Sequence, residues 1–242
     1  FGWDFSSPFG GGAEPPLLRR IFNIQAYQDQ YFRYVRELVG AAGAPTEPTP
    51  TVYSDTQGDT FLSKSDPNFD IDSVTISNTS DTMFASVQVL GPIDVGGDTD
   101  QTRIMMFFDT RAGGTTSNPW NRDINSTTQA DYFLGSWTDG GGGFLLYEWN
   151  GGDWDLNHAS FDNPAGIDQD LSQKSDGIVN YTLPLDRLNL FDTSTFTFDV
   201  VTTNDRDGLP DPGVDHLSNL SQSTPDYDTA SNPGPFVSQI GR

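Results

Sequence analysis

Residues 195–215 carry two patterns that leave few choices for the fold of this chain. In the first half, Phe196, Phe198 and Val200 alternate with polar residues, which is the period of a half-buried β-strand. The second half is a loop with Gly208 at a turn and four carboxylates, those of Asp205, Asp207, Asp211 and Asp215. Clustered carboxylates repel one another, and calcium binds several oxygen ligands around a tight bend. The loop therefore predicts a calcium site; the alternative is an acidic, solvated loop.

The same alternation recurs from Thr51 onwards. Val74 and Ile76 lie in one alternating run, and residues 83–89 alternate on what reads as the return strand of a hairpin. Residues 104–108 are apolar on both faces, which is typical of a central strand buried between layers. Short strands joined by Gly, Pro and Asn turns predict a mostly β protein, an antiparallel β-sandwich of jelly-roll or Ig-like type.

The first 50 residues have a different pattern. Apolar residues recur at helical spacing over residues 17–22 and 25–39, and Gly40 is a typical helix stop. Residues 46–50 form a proline-rich linker. We therefore expect a short N-terminal helical segment with the start of the linker (1–45), the linker (46–50) and a β-sandwich domain (51–242). Because the chain opens at Phe1 and not at Met, we expect it to be part of a larger multidomain parent.

Charge limits the partners of the chain. It has 34 acidic and 12 basic residues and a net charge of −22, and the excess acid lies beyond residue 45. Such a domain repels nucleic acid and anionic membranes, so neither is an expected partner. No apolar run is long enough to span a bilayer. Cysteine is absent, so no disulfide bond can form, and a bound metal ion is what could stabilise the fold in its place.

Two further groups of carboxylates are candidate metal ligands. The first converges if the opening turn of the β domain lies near the following strand, and the second surrounds a Gly-Gly pair. For each group a solvated loop is an equal alternative. Their members are Asp55, Asp59, Asp70 and Asp72 in the first group, and Asp94, Asp98 and Asp100 in the second.

Aromatic residues in or beside loops are candidate sugar-binding residues. Trp149 and Trp154 flank an Asn150-Gly-Gly-Asp153 turn, which offers an amide and a carboxylate to sugar hydroxyls. Further candidates are Trp120, Trp137 and Tyr147. The negative charge favours a neutral polysaccharide or oligosaccharide over an acidic one. The alternative is that several of these rings close the ends of the sandwich.

Catalytic patterns are weak, and we predict a protein that is not an enzyme. His158 and His216 have no metal-binding spacing, and no Gly-x-Ser-x-Gly motif occurs. A carboxylate pair for glycoside hydrolysis can be drawn from so many Asp residues that it carries no information.

Residues 1–40 resemble the end of a spore-coat-protein-H-type kinase-like domain. The shared motifs are Trp3-Asp4, Phe9-Gly10, the Pro16-Leu-Leu-Arg-Arg20 helix and the helix from Tyr27 to Leu38. The resemblance implies that Asp4 occupies the position of a metal-binding residue beside a nucleotide. The upstream part of that domain is missing, so a working kinase is not expected.

Residues 51–215 resemble family 9 carbohydrate-binding modules and the related DOMON-like secreted domains. The shared pieces are the opening Ser54-Asp-x-x-Gly-Asp59, the strand from Asp70 to Asn78, Phe108-Asp-Thr110, Ala130-Asp-Tyr132 and Tyr181-Thr-Leu-Pro-Leu185. The resemblance implies a secreted or cell-surface protein, bacterial in origin, with structural calcium and sugar binding by exposed aromatic residues. The competing hypothesis is a structural, adhesive or self-assembling extracellular module that binds no glycan.

Overall fold

The computed structural model describes residues 50–60, 67–93, 102–124, 126–162, 164, 166–191, 194–204, 213–217 and 236–240. The chain divides into two units, Phe1–Thr46 and Glu47–Arg242, and all the described residues belong to the second unit. The predicted helical segment therefore lies outside the described residues. Within them, no helix is long and apolar enough to cross a membrane.

The described residues form strands joined by turns and three short 3₁₀ helices. The strands are β1 (Thr51–Ser54), β2 (Ile71–Asn78), β3 (Thr82–Val89), β4 (Arg103–Asp109), β5 (Tyr132–Trp137), β6 (Gly143–Trp149), β7 (Trp154–Ala159), β8 (Asp168–Asp170), β9 (Ile178–Pro184), β10 (Thr195–Thr203), β11 (Gly213–His216) and β12 (Phe236–Gln239). The 3₁₀ helices are Ser160–Asp162, Lys174–Asp176 and Leu185–Leu188.

The strands form two antiparallel sheets. The small sheet has the order β1-β2-β3-β9-β8, and the large sheet has the order β11-β10-β4-β5-β6-β7, with β12 paired to β10. Val74 and Ile76 of the small sheet, together with Phe196, Phe198 and Val200 of the large sheet, are buried in one core between the sheets. The predicted antiparallel β-sandwich is thus confirmed. Residues 104–108 are buried throughout, as predicted, in a strand between β10 and β5.

The large sheet has a second, smaller core on its outer face, the face that points away from the small sheet. Met105, Phe107, Phe133 and Val201 are buried there, and Trp120 and Ile124 of the segment between β4 and β5 pack against them. The segment is held in place by a β-bridge between Thr115 and Ala130. The sequence of this segment is rich in Asn, Thr and Gly, yet in the structure the segment covers an apolar sheet face.

Gly135 is the position that lets this segment close on the sheet. The Trp120 ring lies so near the α-carbon of Gly135 that a side chain at this position would overlap the ring. We expect Gly135→Ala to push Trp120 off the sheet and to lower the free energy of unfolding by about 1–3 kcal/mol, as overpacking of a close contact does. Denaturant unfolding measures the change.

Gly152→Ala is the matched control for Gly135→Ala. The new methyl group would lie 3.7 Å from the Asn150 Oδ1 atom, an ordinary contact, on an exposed turn. We expect no measurable change in stability for this variant. Equal stabilities for the two variants would contradict close packing of Trp120 on Gly135.

Candidate metal centre and aromatic face

Three buried or half-buried carboxylates meet where the two sheets approach each other. Asp55 follows β1, Asp59 ends the turn after it, and Asp215 lies in β11. One carboxylate oxygen of each residue lies within 4.8 Å of the others. Because β1 belongs to the small sheet and β11 to the large sheet, this acidic triad spans the two layers.

Backbone N–H groups fix part of the triad. The Asp215 Oδ2 atom accepts a hydrogen bond of 2.6 Å from the Ile71 N–H, and its Oδ1 atom accepts one of 2.9 Å from the His216 N–H. The Asp55 Oδ1 atom accepts from the Thr56 N–H at 2.8 Å. Asp70, which lies beside the triad, accepts from the Gly58 N–H at 2.8 Å and so holds the turn that carries Asp59.

Other oxygens of this group are buried without a partner. Within the described residues, neither oxygen of Asp59 has a hydrogen-bond partner, and the residue is 4 % exposed. The Asp55 Oδ2 and Asp70 Oδ1 atoms are also buried and unpaired. A buried, unpaired carboxylate is costly unless a cation compensates it. Since two oxygens on opposite sides of a calcium-sized ion lie about 4.6–5.2 Å apart, the triad fits a single metal ion.

The electrostatics of the metal-free group follow from burial and like charge. Burial, with repulsion from Asp215 and Asp59, raises the pKa of Asp55 to about 10. Burial, with repulsion from Asp70, raises the pKa of Asp59 to about 6. Burial also raises the pKa of Asp215 and that of Asp70. Near neutral pH, the group thus binds protons when no cation is present, and a cation would displace them.

The described residues bring together members of two predicted metal-ligand sets. Asp215, predicted as the last ligand of the 205–215 loop, lies close to Asp55 and Asp59, which the sequence analysis places in one further group with Asp70 and Asp72. Asp72 of that group is not a member of the triad, and its carboxylate accepts a hydrogen bond from the Gln57 side chain at 2.7 Å. The remaining candidates lie outside the described residues: Asp205, Asp207, Asp211, Asp94, Asp98 and Asp100.

All five aromatic residues predicted to bind a sugar lie on the outer face of the large sheet, which we call the aromatic face. Phe133 is at its centre, with edge-to-face contacts to Trp120, Tyr147 and Trp154 at centroid distances of 5.6, 6.1 and 6.2 Å. Trp137 and Trp149 share this face by alternation along β5 and β6. The five candidate side chains are each half-buried.

Trp149 and Trp154 form a cross-strand pair at the β6–β7 turn. Their centroids are 5.6 Å apart and their planes meet at 62°, so the rings pack edge to face and are not coplanar. The Trp154 Nε1–H donates a hydrogen bond to the Ser117 Oγ atom at 3.2 Å. Trp154 is therefore tied into the sheet and its covering segment, whereas Trp149 sits at the margin of the cluster.

The polar groups of this turn are partly occupied. The Asn150 Oδ1 atom accepts from the backbone N–H groups of Gly152 and Asp153, and its Nδ2 atom donates to Asp155. Asp153 uses one oxygen to accept from the Trp154 N–H. The second Asp153 oxygen lies on an exposed residue and has no partner in the described part of the chain. Of the two predicted polar contacts to a sugar, the structure leaves Asp153 the more available.

Trp137 lies at the other end of the aromatic face. Its ring covers Gly143, where any side chain would overlap it. Beside it, a cleft of about 150 Å³ is lined by Gly141, Gly142, Gly143, Ser160, Asp168 and Gln169, among others. The Gln169 side chain accepts from the Gly143 N–H at 2.7 Å and donates to the Trp137 carbonyl at 3.1 Å. The glycine-rich turn is thus held by a specific amide contact.

No family model and no curated protein matches this sequence. Among solved structures, the chain is similar to a "putative carbohydrate-binding protein" from Bacteroides uniformis, with a TM-score of 0.44 and 10 % identity. The alignment covers 86 % of this chain and 91 % of that chain. A similarity at this level does not transfer a ligand. The resemblances to family 9 carbohydrate-binding modules and to spore-coat-protein-H-type domains stay predictions from the sequence.

Asp59→Asn tests the strain in the metal-free triad. The Asp59 pKa is about 6 in the folded state against 3.8 for the free side chain. The stabilising contribution of its proton is therefore complete below about pH 3.8 and is lost as the pH rises through about 6. We expect the variant, kept in chelator at pH 7.5, to be about 1–3 kcal/mol more stable than the parent. The difference should shrink towards pH 4, as measured by denaturant unfolding.

The control for Asp59→Asn is Asp168→Asn, which removes the same charge from an exposed position on β8. Asp168→Asn should change the free energy of unfolding little, and equally little at pH 7.5 and at pH 4. A destabilised Asp59→Asn variant, or a gain that does not depend on pH, would show that Asp59 is not a strained buried anion.

Proposed function

We propose that this domain is a non-catalytic carbohydrate-binding module of a secreted bacterial protein, one that degrades polysaccharides or acts at the cell surface, and that calcium stabilises it. The observation that carries the proposal is the aromatic face, where Trp120, Trp137, Tyr147, Trp149 and Trp154 are gathered on one side of one sheet. A sugar ring presents its C–H groups to such rings, and the half-buried state of the five side chains leaves part of each for a ligand.

The partner that fits this face is a neutral polysaccharide or oligosaccharide. The net charge of −22 opposes an acidic polymer. Each stacked ring contributes on the order of 1 kcal/mol, so affinity from two or three rings is weak and depends on several contacts at once. Asp153 supplies the free carboxylate oxygen nearest to Trp149 and Trp154 in sequence, and it would accept from sugar hydroxyls.

Calcium is the ion that the chemistry of the triad favours. Every donor on Asp55, Asp59 and Asp215 is a carboxylate oxygen, the ligand type that hard cations prefer. Calcium accepts irregular sets of six to eight oxygens, whereas magnesium needs near-ideal octahedral geometry at shorter distances. The backbone bonds that hold Asp215 and Asp55 restrict rearrangement, which favours the more tolerant ion.

Trp149→Ala is the sharpest test of the aromatic face, because Trp154 also has structural contacts. We expect the substitution to lower the apparent affinity in gels that contain a neutral polysaccharide by about fivefold, the loss of roughly one stacked ring. Trp154→Ala should also weaken binding but should lower stability as well, since its ring packs on Phe133.

Phe191→Ala is the matched control, since it removes a ring that is 62 % exposed from the connection between β9 and β10, and Phe191 is not a member of the aromatic face. Unchanged retardation in the control and reduced retardation in Trp149→Ala support the proposal. Unchanged retardation in both Trp variants would place any glycan site elsewhere on the molecule.

A structural or adhesive module is the second candidate function, and one observation favours it. β7 is an outer strand of the large sheet, and Leu156 on it is 50 % exposed. Unpaired edge strands with apolar residues are templates for pairing with another chain. Two results together would favour this function over the first. The parent would show no glycan retardation, and it would assemble in a concentration-dependent way that Leu156→Lys abolishes.

Calcium should stabilise the domain if it occupies the triad. An ion that binds the folded state alone adds about 2.7 kcal/mol at a hundred times its dissociation constant. We expect calcium to raise the melting temperature over that in chelator, magnesium to do so less, and Asp59→Asn to lose most of the gain. Asp168→Asn should keep the gain in full. Coincident melts in calcium and in chelator, after proven removal of metal, would contradict the proposal.

A further inference from the structure

The solvent face of the small sheet is free of charge over its three central strands, in a protein whose net charge is −22. We call this surface the neutral face. Asp72 lies at the bulge that opens β2 and is bonded to Gln57, and Asp168 and Asp170 lie on β8 at the far edge. The outward residues are Ser73, Thr75 and Ser77 of β2, Thr82, Phe84, Ser86 and Gln88 of β3, and Ile178, Asn180, Thr182 and Pro184 of β9.

The strand register sets these side chains in rows. One row runs Val52, Thr75, Ser86 and Asn180 across β1, β2, β3 and β9 and ends at Asp170 of β8, and the next row runs Ser77, Phe84 and Thr182 and ends at Asp168. Since Thr75 and Ser86 have short side chains, the middle of the first row is low. Two apolar side chains border it, with Phe84 41 % exposed and Val52 59 % exposed.

The hydroxyl groups at the edges of the neutral face are bonded, since Thr82 donates to Asp81 at 3.0 Å and Ser73 to Asp72 at 3.5 Å, whereas those in its middle are free within the described part of the chain. The side chains of Thr75, Ser77, Ser86 and Thr182 have no hydrogen-bond partner within the described residues. The Asn180 amide makes one bond, at 3.2 Å, to the Gln173 side chain. A ligand with its own hydroxyl groups would therefore meet an array of free donors and acceptors, with an aromatic ring beside it.

The dimensions of the face disfavour a stable protein partner. Three strands about 4.8 Å apart, each with about seven residues at about 3.3 Å, cover only about 300 Å². Stable protein interfaces bury about 800 Å² on each partner. A second copy of this chain would also bring a further charge of −22 close to the first. An uncharged, hydroxyl-rich polymer avoids both difficulties.

We propose that the neutral face is a second carbohydrate-binding surface, which takes an extended segment of a neutral polysaccharide along the row of Thr75, Ser86 and Asn180, with Phe84 as its aromatic contact. It stands on different residues from the aromatic face and belongs to the other sheet. With both faces occupied, the domain holds two chains, or two segments of one chain, and gains avidity without new contacts.

The test is affinity electrophoresis in gels with uncharged polymers (hydroxyethylcellulose, galactomannan, arabinoxylan and dextran) and with anionic carboxymethylcellulose. Ser86→Arg places a bulky charge in the middle of the neutral face, and Phe84→Ala removes its ring. Phe161→Ala and Thr116→Arg are the matched controls, at exposed positions outside this face, Phe161 being 74 % exposed. Each variant is made in the parent and in the Trp149→Ala background, and circular dichroism confirms its fold.

We expect the Trp149→Ala variant to keep residual retardation on at least one uncharged polymer. Adding Ser86→Arg to that variant should lower the apparent affinity for the same polymer at least tenfold. The controls should stay within twofold. Loss of all retardation by Trp149→Ala alone would overturn the second surface and leave the aromatic face standing. Loss by Ser86→Arg alone would support the neutral face and count against the aromatic face. No retardation of the parent on any uncharged polymer, or stronger retardation on the anionic one, would overturn the inference.

Discussion

The hydrogen bond from the Ile71 N–H to the Asp215 carboxylate, 2.6 Å long, joins the two sheets at the end where the acidic triad lies. Three more polar bonds lie there, from the Thr202 hydroxyl to the Phe69 carbonyl at 2.6 Å and two between Asn68 and Thr102 at 3.0 Å. The sheets also meet through an apolar core, which is crossed by a hydrogen bond of 2.6 Å between the Ser136 and Tyr181 hydroxyl groups. Apolar contact does not fix one relative placement of two layers, whereas directional bonds do. The bonds at this end, together with the Ser136–Tyr181 bond in the core, therefore restrict how the layers are aligned.

The same end concentrates a cost that the apolar core must offset. Both oxygens of Asp59 are buried without a partner in the described part of the chain, and burial together with repulsion from Asp70 raises the pKa of Asp59. Proteins keep such groups when a cation or a proton compensates them. β11 is only four residues long and relies on β10 for its pairing, yet it carries Asp215 on one face and His216, bonded to Asp199 at 3.1 Å, on the other. The short strand thus connects the triad to the interior of the large sheet.

Local pattern in the sequence accounts for much of the fold and for little of the site. Alternation places Phe196, Phe198 and Val200 in the core, because the period of a strand depends on neighbouring residues alone. The triad depends on pairing across the chain: Ile71 and Asp215 are 144 residues apart. Proximity in sequence groups Asp215 with Asp211, which lies outside the described residues, and does not show that Asp215 also meets Asp55 and Asp59. The Ser54-Asp-x-x-Gly-Asp59 opening was the available signal, as it predicts a turn that converges carboxylates.

The outer faces of the two sheets differ in polarity. The large sheet has an apolar outer face, which needs the 110–130 segment and its Trp120 to cover β4 and β5, and the uncovered margin is where Trp149 lies. The small sheet has short hydroxyl side chains outside, which need no cover. Asp72 lies at the start of β2, and Asp168 and Asp170 lie on the edge strand β8, so the middle of the small sheet carries no charge on its outer face. The uncharged middle of one sheet and the uncovered rings of the other are the features on which the two proposed glycan surfaces rest.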